Sequence, residues 1–86
     1  MKAHAYDQEL LTIFMEECSE AIMEASKVIR FDQGYDRLEA EIGDIYCMLN
    51  LMHERDMFSW SNVEDCAQHK REKLKQWSGL LGEYDE

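Results

Sequence analysis

The run "EECSEAIMEASKVIRF", Glu16–Phe31, decides the fold. Cys18, Ala21, Ile22, Ala25, Val28 and Ile29 recur at the spacing of a helix with one apolar side. The stripe continues backwards through Phe14, Leu11 and Leu10, which predicts a first helix from about Asp7 to Arg30. The same run holds Glu16, Glu17, Glu20 and Glu24. Carboxylates set this close to an apolar stripe require water or a cation beside them.

A second run, "LEAEIGDIYCML" (Leu38–Leu49), repeats the pattern and sets Glu41 and Asp44 among Leu38, Ile42, Ile45, Met48 and Leu49. It predicts a helix from about Arg37 to His53, with Asp36 as its cap and Glu39 completing a capping box. Between the two, "FDQGYD" breaks the period, and Gly34 suits a helix exit. A third helix is expected from about Asn62 to Trp77. Ser61 and Glu64 form its capping signature, and Val63, Cys66 or Ala67, Leu74 and Trp77 its stripe. Trp77, Met48 and Met52 read as core. The closing "SGLLGEYDE", residues 78–86, reads as a frayed tail. No alternation of period two and no Asn-Gly hairpin signal competes. The expectation is an all-α, three-helix chain forming a helical bundle, with residues 1–86 as one domain.

Bulk composition narrows the partners. A net charge of −10 repels a nucleic-acid polymer, whose binding rests on Lys and Arg meeting phosphates. It leaves room for a small phosphorylated ligand that arrives with a divalent metal. The three cysteines, Cys18, Cys47 and Cys66, are odd in number and show no zinc spacing, which favours free thiols in a reducing, cytoplasmic setting. No apolar run reaches membrane-spanning length, and the N-terminal stretch, interrupted by Asp7, Gln8 and Glu9, is not that of a signal peptide.

At about 100° per residue, Glu17 falls at the edge of the first stripe, roughly 80° from its centre, with Glu20 and Glu24 slightly further round on the same side. Glu16 points away and reads as a solvated surface residue. Glu41 lies within about 30° of the centre of the second stripe, and Asp44 near one edge. Glu17/Glu20 and Glu41/Asp44 share a spacing that sets two carboxylates side by side on a helix face. Two packed helices can therefore turn four carboxylates to one point. Hard oxygen donors in that number suit Mg²⁺ or Mn²⁺ rather than zinc. The Glu-x-x-His pairs of a di-iron bundle are missing. The bland alternative is a pair of solvated acidic helices.

Taken together, "EECSE" at 16–20 and "EIGD" at 41–44 resemble the EExxE…ExxD signature of the MazG-like all-α nucleoside triphosphate pyrophosphohydrolases. "ASKVIRF", "RLEAEIGDIYCML" and "KREKLKQW" are also similar to short members of that group. The resemblance implies a helical bundle completed by a second subunit, and cleavage of a nucleoside triphosphate to the monophosphate and pyrophosphate. It implies Mg²⁺ as cofactor, with Glu17, Glu20, Glu41 and Asp44 as metal ligands and catalytic residues. Water is the expected nucleophile, activated by a carboxylate or by the metal.

Basic residues are expected on the phosphate tail. Lys70 projects into the third stripe, either as a phosphate ligand or with its stem along the core and its head in water. Lys27 is a second candidate, or an ion-pair partner of Glu24. Arg30 and Lys73 are further candidates, or plain surface charges. Phe31, Tyr35 and Trp60 can stack on a base, or plug the core or an interface. Three amphipathic helices of this length leave apolar surface unmatched, so a homodimer or larger homo-oligomer is expected. The competing reading is a non-catalytic helical module whose acidic face binds a basic partner protein. The two part on whether Glu41 and Asp44 converge with Glu17 and Glu20.

Overall fold

The computed structural model describes residues 4–82. It contains three helices, α1 (Ala5–Phe31), α2 (Asp36–Glu54) and α3 (Trp60–Trp77), and no strand among the described residues. The all-α class is as the periodicity predicts. No described helix is long and apolar enough to cross a membrane. The end of the expected frayed tail, 83–86, lies outside the described residues.

The helix ends differ from the sequence signals. α1 exits through Asp32 in the left-handed region (φ 53°) rather than through Gly34. The N-cap of α2 is Tyr35, which makes no side-chain cap bond, and Asp36 sits inside the first turn. The Asp36/Glu39 capping box is therefore not formed. α3 starts two residues early, because Ser59 rather than Ser61 is the cap; its hydroxyl accepts from the Asn62 amide at 3.1 Å. The early start draws Trp60 into an aromatic group with Phe58, edge-on at 4.9 Å, and His53 at 5.7 Å.

α1 and α2 form an antiparallel hairpin. Its open end is fastened by Arg55, whose Nε donates to Asp7 Oδ1 at 2.8 Å while the guanidinium lies over the Tyr6 ring at 4.8 Å. At the loop end Gln33 donates to Glu24 Oε1 at 3.1 Å. The buried apolar residues are Leu10 and Met48, 4% and 8% exposed, which is a small core.

The reason lies in which side of each stripe meets its neighbour. α2 covers the edge of the α1 stripe that carries Leu10 and Glu17. The far edge of that stripe, Ile22 and Ile29, with Met15 beside it, lies roughly 110–150° further round and stays exposed. On α2, with Met48 and Glu41 facing α1, Tyr35, Ile42 and Tyr46 lie roughly 110–150° round and are likewise exposed. The helices run in opposite directions, so equal rotations from the contact end on the same side of the hairpin. Ile22, Ile29, Ile42 and Tyr46 are 71%, 84%, 56% and 60% exposed and build one open apolar side. The opposite side carries Glu20, Asp44, Lys27 and Arg37.

α3 is attached through the aromatic group but leaves its stripe uncovered. Every α3 residue is exposed except Trp60 and Leu74, which are half-buried. Trp77, expected in the core, is 82% exposed. Met48 is buried and Met52 half-buried, as expected of core residues. Cys18, Cys47 and Cys66 are free thiols.

Candidate metal centre

The carboxylates of α1 and α2 meet because α1 packs along its Glu17 edge against the face of α2 that carries Met48 and Glu41. Glu17, Glu20 and Glu41 each offer an oxygen, and the three oxygens lie within 4.8 Å of one another. Glu17 and Glu41 are half-buried and Glu20 is exposed, so the group opens toward solvent on the Glu20 side. Glu17 Oε2 and Glu41 Oε2 are shut off from solvent and have no hydrogen-bond partner. Buried carboxylate oxygens without donors are rare in folded proteins and call for an explanation. Asp44 stands at the rim. It is exposed and outside the closest three, yet near enough for its charge to act on Glu17. Glu16 is exposed and turned away, as the projection predicts.

The electrostatics follow from crowding three carboxylates without a cation. Burial pushes Glu41 up to about 7, and the neighbouring Glu17 and Glu20 add to the shift. Burial also raises Glu17, with Asp44 and Glu20 contributing. The raised Glu41 favours its protonated form, which relieves the repulsion of like charges that share one site. A divalent cation supplies the same relief with more charge. An all-oxygen set open to water on one side matches the hard-ion preference of Mg²⁺ and Mn²⁺.

The expected phosphate ligands separate into two places. Lys27 lies on the side of α1 that carries Glu20 and pairs with Glu24 at 3.5 Å, the ion pair that the spacing allows. Lys70 and Lys73 are exposed on α3, away from the hairpin's packed face, so Lys70 does not line a core. The Arg30 guanidinium lies 4.9 Å over the exposed Phe31 ring. Tyr35 is exposed beside the α1–α2 loop, and Trp60 is occupied by Phe58 and His53 at the far end of the hairpin.

Sequence reasoning missed Arg37 and Gln33. With Gly34 and Asp36 they line a cleft of about 290 Å³ at the loop end of the hairpin. The available signal was spacing, since Arg37 sits one turn before Glu41 on the same helix face. Compared with known protein families, curated proteins and solved structures, the chain matches none.

Proposed function

We propose that this chain is a Mg²⁺-dependent nucleoside triphosphate pyrophosphohydrolase of the MazG-like kind that its sequence resembles, with Mn²⁺ as an alternative ion. The observation that carries the reading is the convergence of Glu17, Glu20 and Glu41, with two buried oxygens lacking any donor. Of the two residues on which the enzyme and the acidic interaction module part, Glu41 converges with Glu17 and Glu20 and supports the enzyme, while Asp44 lies outside the closest three.

In this reading Glu17, Glu20 and Glu41 hold the ion and Asp44 borders it. The ion, when bound, neutralises the approaching phosphates and polarises the phosphoryl group under attack. Water adds at the α-phosphorus and the bond to the bridging oxygen of the β-phosphate breaks, giving the monophosphate and pyrophosphate. The α1–α2 contact fixes the carboxylates before the substrate arrives, because Glu17 and Glu41 are clamped between two helices. The open side at Glu20 is the entry for the anionic tail.

The working unit in this reading is a homodimer. Six large side chains, Met15, Ile22, Ile29, Tyr35, Ile42 and Tyr46, are exposed on one side of the hairpin. Their exposed area is of the order of the about 800 Å² per partner of a standard specific interface. A second copy meeting the same side makes a four-helix core. α3 adds a basic end, Lys70, Arg71 and Lys73, to pair with an otherwise acidic hairpin.

The test is pyrophosphate release from a panel of canonical and modified NTPs and dNTPs with Mg²⁺ or Mn²⁺. Glu41→Gln is expected to lose at least about a hundredfold in rate, and Glu16→Gln to stay within a few-fold. Equal rates for wild type and Glu41→Gln, or no release from any substrate, overturn the assignment.

A further inference from the structure

We propose that Arg37, backed by Lys27 and Gln33, is the subsite for the metal-distal end of a polyphosphate; this deepens, and rests on, the reading of the carboxylate group as a metal centre. Three observations place it. The cleft of about 290 Å³ is lined by Gln33, Gly34, Asp36 and Arg37, and its volume suits a phosphate group and its water. Arg37 precedes Glu41 by four residues, just over one helical turn, on the same side of the hairpin, about 6 Å along the axis, a distance that a di- or triphosphate tail spans. Arg37 is exposed and has no carboxylate within ion-pair distance among the described residues, whereas Arg55 is tied to Asp7 and Lys75 to Glu72.

Glu24 organises this end. Gln33 donates to it, Lys27 pairs with it at 3.5 Å, and the Arg37 charge acts on it from across the loop. Led by the Gln33 bond, these partners hold the Glu24 carboxyl below its ordinary range. Glu24 thus holds one cation and one amide donor, and lies near enough to the free Arg37 to feel its charge, at the edge of an acidic groove where net repulsion would otherwise meet an anion. An incoming phosphate oxygen finds the guanidinium fork of Arg37 ready for two parallel hydrogen bonds. Lys27, 31% exposed, needs only to turn from Glu24 to join it. The groove would then be ordered by charge, with Glu17, Glu20 and Glu41, which would hold the ion, toward one end and Arg37 and Lys27 toward the other.

The probe is inorganic tripolyphosphate, which carries the tail without a base. Manganese alone is first titrated into wild type and Arg37→Gln by calorimetry, and equal affinity is expected. Tripolyphosphate is then titrated at saturating manganese. Arg37→Gln is expected to bind about tenfold more weakly, and Arg37→Lys to recover part of the loss. Lys75→Gln, which removes the same charge on α3, is expected to stay within twofold of wild type. In turnover, the Arg37→Gln loss falls on KM with kcat within about twofold. Equal weakening by Arg37→Gln and Lys75→Gln, or no weakening by either, overturns the subsite while the metal centre stands. Absence of manganese binding to wild type overturns both, and the first titration tells the two failures apart.

Discussion

The two sides of the α1–α2 hairpin use the same helices to opposite ends. On one side, the packed edges bring Glu17 and Glu41 between the helices and leave Glu20, Asp44, Lys27 and Arg37 facing water. On the other, Ile22, Ile29, Ile42 and Tyr46 form an apolar surface with nothing over it. A hairpin that buried the α1 stripe fully would bring Ile22 into the contact and turn Glu17 out of it, away from Glu41. It would gain a core and lose the carboxylate group. Rotating α1 toward its acidic edge, against an α2 that already carries Glu41 on its inner face, gives the reverse and leaves apolar surface open. The lesson is that the site and the exposed face are one choice of helix rotation.

The sharpest way to break this comparison is to charge the apolar side. Ile22→Asp with Ile42→Asp is expected to raise the dimer dissociation constant by well over tenfold in sedimentation equilibrium, since each change sets a carboxylate into a desolvated contact. Manganese affinity per chain should change little, because neither residue touches the carboxylates. A wild type that sediments as a monomer at micromolar concentration removes the partner half of the argument.

A smaller effect sharpens the acidic side. The Glu41 carboxyl is held up to about 7 in the folded chain, against 4.5 ordinarily. Between these values the folded state keeps a proton that the unfolded state has lost, so the ion-free protein loses stability as pH rises from about 4.5 to 7 and stays low above it. Glu17 and Glu20 face this carboxyl and act in the same direction, and Asp44 raises the adjoining Glu17. Thermal midpoints should therefore fall from pH 5 to pH 8 without metal. Mn²⁺ at roughly a hundred times its Kd adds about 2.7 kcal/mol, most visibly at pH 8. Parallel pH curves with and without manganese contradict a metal role for these oxygens.

The smallest effect lies between the sides. Gly43 is exposed in the middle of α2, and a Cβ added there meets nothing within 4 Å. Gly43→Ala is expected to stabilise the chain by about 0.5–1 kcal/mol, read from denaturant midpoints. A loss of stability shows that another surface approaches this turn.

The sequence made the helices legible because their period is written in every apolar residue from Leu10 to Leu49. Glu41 was legible for the same reason, since a carboxylate at the centre of a stripe is forced inward. The packing angle was not. A stripe centred near Ala25 gives no sign that α2 will take its Glu17 edge and leave Ile22 open, because that depends on the fit of the whole pair. The start of α3 escaped because Ser59 and Ser61 are both capping residues, and the contact of Trp60 with Phe58 and His53 lies outside local pattern. Lys70 and Trp77 sit on a stripe that implies a core, and α3 has none within its own chain. Arg37 was not legible as a phosphate ligand because nothing in its local pattern separates it from a solvated charge at the start of a helix.

α3 is 18 residues long and rests on almost nothing but its own backbone bonds, the Ser59 cap and one aromatic cluster at its root. A helix of that length, left in water without tertiary cover, is only marginally formed. If the proposed homodimer covers α3, its ellipticity should fade on dilution before the hairpin melts, and the secondary structure of this arm would then gauge how crowded the chain is by its own kind.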